Sequence, residues 1–306
     1  MRRYNHVAVL MGGWSAEREV SLWTGTGCAD ALERAGYRVT RVDASRDLAG
    51  QLRDVAPDAC FNALHGRWGE DGCVQGLLEV LDIPYTHSGV YASALAMNKV
   101  RAKVVLAAAG VPVANGVALL REDAARDHGM ATPYVAKPIA EGSSVGVVIV
   151  PAGANRPPEA ITKIPDLEGQ IMLEEFVAGH ELTCGVIGER VTEIIDIVPA
   201  ENLAFYDFEA KYAPGGSKHL LPARIPADVY DAVQRHTLAA HKALGCRGVS
   251  RADFRYDPTK GHLVCLEVNT QPGMTGTSLV PELAAHWGWS FSDLVAWMVE
   301  DASVAR

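Results

Sequence analysis

The sequence predicts an α/β unit with a parallel sheet, followed by two α+β lobes built on antiparallel sheets. Three observations carry this reading. Strand-like and helix-like segments alternate from Val7 to Tyr85, the pattern of right-handed βαβ units. Beyond Ala109 the strand-like runs come in pairs, PYVAKP with VGVVIV and ELTCGVIG with EIIDIVPA, which suits antiparallel pairing. Two further apolar runs, GVSRADFRY and HLVCLEVN, carry three hard oxygen side chains at their ends: Asp253, Glu267 and Asn269.

The elements follow in order. VAVLM at 7–11 is a buried-strand run ending in Gly12-Gly13, and a helical stretch follows around Val20–Ala35. YRVTRVDA gives a second strand, Asp58–Leu64 a third, Gly72–Leu81 a helix and Ile83-Pro84-Tyr85 a short strand. Parallel sheets bind ligands beyond the carboxyl ends of their strands. Gly12-Gly13-Trp14-Ser15 and His65-Gly66-Arg67-Trp68-Gly69 fall at such ends. A long Ala-rich helix is expected from Ser88 to Ala109. The next segment holds a glycine-rich hairpin, Glu141-Gly142-Ser143-Ser144, then a Pro-rich stretch and the strand IMLEEF. After EIIDIVPA come a loop rich in aromatics and glycine at Glu201–Leu221, a helix near Ala227–Leu244, the two acidic strands and two terminal helices. The expected division is 1–96, 97–180 and 181–306.

With 48% hydrophobic residues and a formal net charge of -9, the chain has the composition of a soluble globular protein. Its acidity argues against a general nucleic-acid binder, which needs a basic face. The six cysteines form no Cys-x-x-Cys pair and read as reduced, mostly buried thiols. The N-terminal apolar run is too short for a signal segment, and no stretch approaches the ~20 apolar residues of a membrane span. A cytoplasmic location, with no membrane or nucleic-acid partner, is expected.

Chemistry concentrates in a few places. Glu267 and Asn269 are two apart, so both face one side of a strand, with Leu266 and Val268 on the other. If Asp253 lies on a neighbouring strand, the three converge where Mg²⁺ could bridge them to nucleotide phosphates. Buried carboxylates without a cation cost several kcal/mol (roughly), which favours a metal site over a solvated face. Arg251 points to the same side and is either a structural ion pair or an anion clamp. Lys137 ends a strand before the Gly-Ser loop, where it meets phosphate or simply sits exposed on a hairpin. Lys99 alone reads as a solvated helix charge, and Glu17 as an acid complementing a helix dipole. His65 either positions a substrate or does nothing. Lys211 and Tyr212 sit in a long loop of the kind that forms lids. Gly25-Thr-Gly27 lies inside a helix pattern and reads as structural.

Taken together, the segments GGWSAEREVSL, LHGRWGEDGCVQGLLE, MNKVRAK, VAKPIAEGSSVGV, LEEFVAGHEL, FYDFEAKY, SRADFRYD and LEVNTQPGMTGTSLVP resemble the D-alanine–D-alanine ligases of the ATP-grasp superfamily, in the family's order. The resemblance implies an ATP-grasp fold with ATP between the central and C-terminal antiparallel sheets, and a homodimer. It implies that Lys99 and Lys137 hold phosphates and that the loop with Ser143 and Ser144 closes over them. Glu174 and the Val177 backbone, with Glu175 beside them, correspond to the adenine hinge, Glu181 to the ribose ligand, and Lys211 faces the γ-phosphate. Asp253, Glu267 and Asn269 would hold two Mg²⁺ (or Mn²⁺) ions. Glu17, with Ser143 and Tyr212, would anchor the first D-alanine near His65. Arg251 and Gly273 correspond to an oxyanion clamp, and Ser278 with the Leu279 backbone to the receptor of the second carboxylate. The product implied is D-alanyl-D-alanine, for peptidoglycan synthesis. Two other readings, an ATP-grasp ligase for another carboxylate and a non-enzymatic ATP-binding module, do not account for Glu17, Tyr212 and Ser278, or for Arg251 beside two carboxylates.

Overall fold

A computed structural model describes residues 2–142, 145–199 and 216–305. Its first sheet has three parallel strands, with β1 (His6–Met11) between β2 (Arg38–Asp43) and β3 (Ala59–Asn62). Strand β1 is buried along its whole length, as a two-sided parallel strand must be. Its pleat divides the packing. Val7 and Val9 join Phe61 beneath helices α1 (Arg18–Arg34) and the C-terminal helix. Ala8 and Leu10 turn to the other face, against Leu52 of α2 (Leu48–Val55) and Leu78 of α3 (Cys73–Val80).

The strand expected at Ile83–Tyr85 is reduced to one bridging residue. Tyr85 pairs in parallel with Cys60 and antiparallel with Ser303. The single long helix expected from Ser88 to Ala109 is two helices, α4 (Val90–Met97) and α5 (Lys99–Ala108). Asn98 separates them in an extended conformation, its side chain accepting from the Arg101 amide. An asparagine cap of this kind competes with the helix backbone even in an Ala-rich run.

The central sheet is antiparallel, in the order β4 (Gly116–Leu120), β7 (Gln170–Glu175), β5 (Tyr134–Lys137), β6 (Val148–Val150). Its outer strand β4 has no counterpart in the sequence reading. A short helix α6 (Arg121–Arg126) covers its core of Tyr134, Ala136, Ile171 and Leu173. The third sheet runs β10 (Ser217–Leu220), β9 (Arg190–Pro199), β8 (His180–Ile187), β11 (Val249–Asp257), β12 (His262–Asn269), all antiparallel. Residues 217–220, expected within a loop, are therefore its edge strand.

Helix α7 (Ala227–Ala243) packs behind this sheet together with Ala96, Ala102 and Leu106 of α4 and α5. After α8 (Leu279–His286), the last helix α9 (Phe291–Asp301) returns to the first sheet, burying Leu294, Val295 and Met298 beside Val7 and Phe61. Two cores thus join segments far apart in the chain. All six cysteines are free, five buried and Cys73 exposed. Among the described residues no helix is long and apolar enough to cross a membrane.

Gly25 sits where α1 crosses β1. A Cβ there would lie 2.4 Å from Met11 Cβ, too close for any rotamer change to relieve. Alanine ordinarily stabilises a helix interior by about 1 kcal/mol relative to glycine, but overpacking costs about 1–3 kcal/mol. Gly25→Ala is therefore expected to destabilise the protein, lowering its urea midpoint. An unchanged or raised midpoint would show that the helix can move off the strand at no cost.

Candidate active site

The second and third sheets face each other across a cavity of about 1140 Å³. Lys137 of β5, Glu174 of β7, Lys99 of α5, and Arg251, Asp253 and Glu267 of β11 and β12 line it, with Val135, Ile149, Phe176 and Leu182 as apolar wall. Beside it lies a more polar cavity of about 690 Å³, bounded by Glu17, His65 and Glu70 on one side and Gln271, Gly273 and Ser278 on the other. Gly142, Arg251, Glu267 and Leu279 border both. A ligand group in either cavity is thus within reach of the other.

The inner wall of the larger cavity is ionic. Glu174, 2% exposed, accepts from Lys137 Nζ at 2.7 Å through one carboxylate oxygen. Its other oxygen accepts from Lys103 Nζ, which also donates to the Ala114 carbonyl at 2.8 Å. Burial drives the Lys103 ammonium below its usual range, with the Glu174 charge opposing. Lys103 escaped the sequence reading, although it stands four residues after Lys99, one turn along the same helix face.

The acidic strands pair as the convergence argument required. Asp253 lies directly opposite Glu267, and Arg251 opposite Asn269. Arg251 grips Asp253 in fork geometry, Nε to Oδ1 at 2.9 Å and a terminal nitrogen to Oδ2 at 2.7 Å. Thr183 and Asn269 donate to the same carboxylate at 2.6 and 2.9 Å. Lys99 Nζ bonds the Glu141 carbonyl at 2.8 Å and lies 3.0 Å from Glu267 Oε2, so it is no solvated helix charge. Leu266, expected to face away, lines the cavity. The ladder shifts register between Asp253 and Phe254, and such a bulge turns an extra residue out of alternation. Two carboxylates and an amide are hard oxygen donors that suit Mg²⁺, which takes one or two carboxylates and completes its shell with water and phosphate. No cluster of three acidic, histidine or cysteine ligands occurs among the described residues, which accords with such a partial donor set.

On the opposite side, Glu17 precedes α1, where an acid complements the helix dipole, and its side chain makes no cap bond to that helix. Its carboxylate lies in a slot between Gly66 and Gly142. A Cβ at either glycine would come within 2.8 and 3.1 Å of Glu17 Oε1. Gly66 also has φ +69, so a side chain there would be strained as well as crowded. His65, 5% exposed, bonds Thr24 through Nε2 at 2.8 Å and Glu70 through Nδ1 at 2.9 Å. Burial opposes its charge, but the Glu70 hydrogen bond and the Glu70 and Glu17 carboxylates outweigh it and hold the imidazole above its ordinary value. Glu70 was missed for want of any local signal beyond its place five residues after His65.

The remaining expected residues are placed as follows. The Val177 carbonyl accepts from Arg255 Nε at 3.0 Å, and Arg255 also bonds Glu181 at 3.1 Å. Glu175 borders the cavity but bonds the Asn115 amide at 2.9 Å and His262 at 3.2 Å. Burial opposes its charge, yet these donors hold it below the usual carboxylate range. Ser278 Oγ accepts from the Thr275 amide at 2.9 Å, directly ahead of α8. A Cβ on Gly273 would reach that oxygen at 3.1 Å. Ser143, Ser144, Lys211 and Tyr212 lie outside the described residues.

Two antiparallel sheets enclosing a cavity of lysines and carboxylates, with a parallel α/β layer closing a polar annex, define the ATP-grasp class. Known proteins narrow that class. The family models described as D-ala D-ala ligase N-terminus and C-terminus match residues 44–88 and 105–300. A D-alanine–D-alanine ligase of Parvibaculum lavamentivorans is 63% identical, covering 100% of both chains, and that of Xanthobacter autotrophicus is 61% identical, covering 98% of this chain and 99% of the relative. The solved D-alanine–D-alanine ligase of Bacillus anthracis complexed with ATP superposes with a TM-score of 0.79 at 30% identity over 97% of both chains. The VanG D-Ala:D-Ser ligase of Enterococcus faecalis gives 0.77 at 27% identity, over 97% of this chain and 99% of that one. The chain belongs to the D-alanine–D-alanine ligase family.

The His65–Glu70 pair makes a pH-dependent contribution with a definite sign. Because the folded imidazole is raised above 6.5, its stabilisation is fully present below that value and fades as pH climbs through the raised one. Glu70→Gln should move the His65 midpoint downward, followed by the imidazole proton resonances through a pH titration. A midpoint unmoved by the substitution would mean that Glu70 does not control His65.

Proposed function

We propose that this chain joins two D-alanine molecules to D-alanyl-D-alanine at the expense of ATP, a step that supplies a peptidoglycan precursor. The observation that carries the reading is the pair of cavities bordered in common by Arg251, Glu267, Gly142 and Leu279. One is large and largely apolar with lysines at its inner end, as a nucleotide needs. The other is polar, with an acid slot at one end and a serine ahead of a helix at the other, as two small zwitterions need.

In the reaction, the carboxylate of the first D-alanine attacks the γ-phosphorus of ATP, the bond to ADP breaks, and an acyl phosphate forms. Carboxylate and phosphate charges ~4 Å apart repel by about 4 kcal/mol at an effective dielectric near 20. Lys99 and Lys137 lower that barrier by facing the phosphates. Asp253, Glu267 and Asn269 would hold Mg²⁺ or Mn²⁺, which supplies further neutralisation of phosphate charge. Glu17 receives the first ammonium in its glycine slot, with His65 close by. The neutral amine of the second D-alanine then attacks the acyl carbonyl, phosphate leaves, and the amine proton passes to solvent or phosphate. Arg251 and the Gly273 amide stabilise the oxyanion formed in that attack, while Ser278 and the amide at the start of α8 receive the second carboxylate. The family resemblance extends these assignments to Glu174, Glu175 and Val177 at the adenine, Glu181 at the ribose, Ser143 and Tyr212 beside Glu17, and Ser144 and Lys211 at the phosphates. It also supports a cytoplasmic homodimer with units 1–96, 97–180 and 181–306.

A coupled assay of ADP release decides the activity: D-alanine should drive turnover, and L-alanine should not. D-alanine should also be preferred to D-lactate as acceptor near neutral pH. Arg251→Ala should lower turnover by roughly a hundredfold, the scale of a lost oxyanion donor. Near-normal dipeptide synthesis by that variant would remove Arg251 from the chemistry, and ATP turnover indifferent to D-alanine would remove the ligase reading.

A further inference from the structure

The ionic inner wall of the nucleotide cavity contains two lysines for one carboxylate. Glu174, Lys137 and Lys103 are 2%, 7% and 8% exposed, so none of their charges is relieved by bulk water. The two lysines differ in what else they touch. Lys137 borders the cavity. Lys103 approaches from α5 behind the wall, where the Ala114 carbonyl takes a second of its protons at 2.8 Å, and it does not border the cavity. It has no path to a ligand and cannot follow one.

A buried carboxylate must keep a counter-ion. With Lys137 as sole partner, Glu174 would compete with the phosphates for that ammonium. A nucleotide capturing Lys137 would then strand the carboxylate in a dry wall. With Lys103 in place, Lys137 can be given up while Glu174 stays ionised, paired and fixed. Resting on the reading of the larger cavity as an ATP site, we propose that Lys103 is a positioning residue for nucleotide binding. It is the standing counter-ion of Glu174, which keeps that carboxylate in place at the hinge and leaves Lys137 available to the phosphates. The cost of desolvating Lys103, visible in its lowered proton affinity, is what a purely structural role would have avoided with an apolar side chain of similar length.

The test uses the full-length enzyme and separates the steady-state constants. Lys103→Met should raise KM for ATP at least tenfold, with kcat within threefold and KM for D-alanine within twofold of the parent. Calorimetric titration with an unreactive ATP analogue should show the same loss. In an E174Q background no carboxylate needs a counter-ion, so adding K103M should cost less than a further twofold. The pair E174Q and K103M/E174Q also carries the test if K103M alone does not fold. Retained ATP affinity in K103M, equal losses in both backgrounds, or a fall in kcat and both KM terms together would overturn the proposal. A parent enzyme that bound no ATP would overturn the ligase reading and this inference with it; losses confined to these variants bear on Lys103 alone.

Discussion

Buried charge balance is the constraint on which the cleft depends. Three of its acids are matched by bases from another element or strand position: Glu174 by Lys103 and Lys137, Glu267 by Lys99, Asp253 by Arg251. An ion in such a wall is tolerated only when paired and hydrogen-bonded. The antiparallel register of β11 and β12 therefore matters more than the identity of any one side chain, because it sets Asp253 against Glu267. A slip of one residue in β12 would turn Glu267 toward the core behind the sheet, where Val268 now packs. Of the cations that steady these acids, Lys99, Lys137 and Arg251 are also the groups the proposed chemistry directs at phosphate and oxyanion, so the fold itself holds those charges near their working places.

A second, neutral network fixes the two ends of the polar annex relative to one another. Asn62, at the end of β3, donates to the Gly69 carbonyl at 2.9 Å and to Gln271 at 2.8 Å. Gln271, two residues beyond β12, donates in turn to the Leu64 carbonyl, and Gln75 closes on Gly69 at 2.7 Å. The loop carrying His65 is thereby tied to the loop carrying Gly273 through buried amides, which have directional demands that apolar packing lacks. The return of α9 onto the first sheet makes this possible. It buries Leu294 and Val295 against strands from the other end of the chain and holds the acid slot and the Ser278 loop across one gap.

Most of the fold was legible because period and length speak plainly over βαβ units and long strands. Failures came where local and tertiary terms compete. An Ala-rich run hid the Asn98 cap, β4 and β10 are short edge strands, and the bulge beside Leu266 breaks an alternation that sequence alone must assume. For the site, the period-two spacing of Glu267 and Asn269 was sufficient, since a strand's pleat fixes their common side. Lys99 and Glu17 read as bland because their significance lies in partners distant in sequence, Glu267 at 3.0 Å and the glycines 66 and 142. Lys103 and Gln271 were missed for the same reason, their partners lying far along the chain, and Glu70 because nothing local marked it. Each acts on another site residue, and such indirect roles leave no periodic trace.

Adjacent glutamates on β7 illustrate how the fold assigns unlike work to like residues. Glu174 is buried in the ionic wall, whereas Glu175 sits at the cavity rim, where it meets the Asn115 amide and His262 of β12. The Asn115 contact ties β7 to the start of β4, its neighbour in the same sheet, and the His262 contact crosses to the third sheet. Nearby, the Cys265 amide bonds the Pro112 carbonyl at 2.7 Å, so this bond and the His262 contact link β12 to the central lobe at one edge of the cavity. The Asn115 backbone N–H requires an acceptor, which the Glu175 carboxylate supplies. On the proposed reading of the cavity as a nucleotide site, these contacts fix Glu175 at the rim, so that it meets the adenine as a held side chain beside Glu174 and the backbone around Val177.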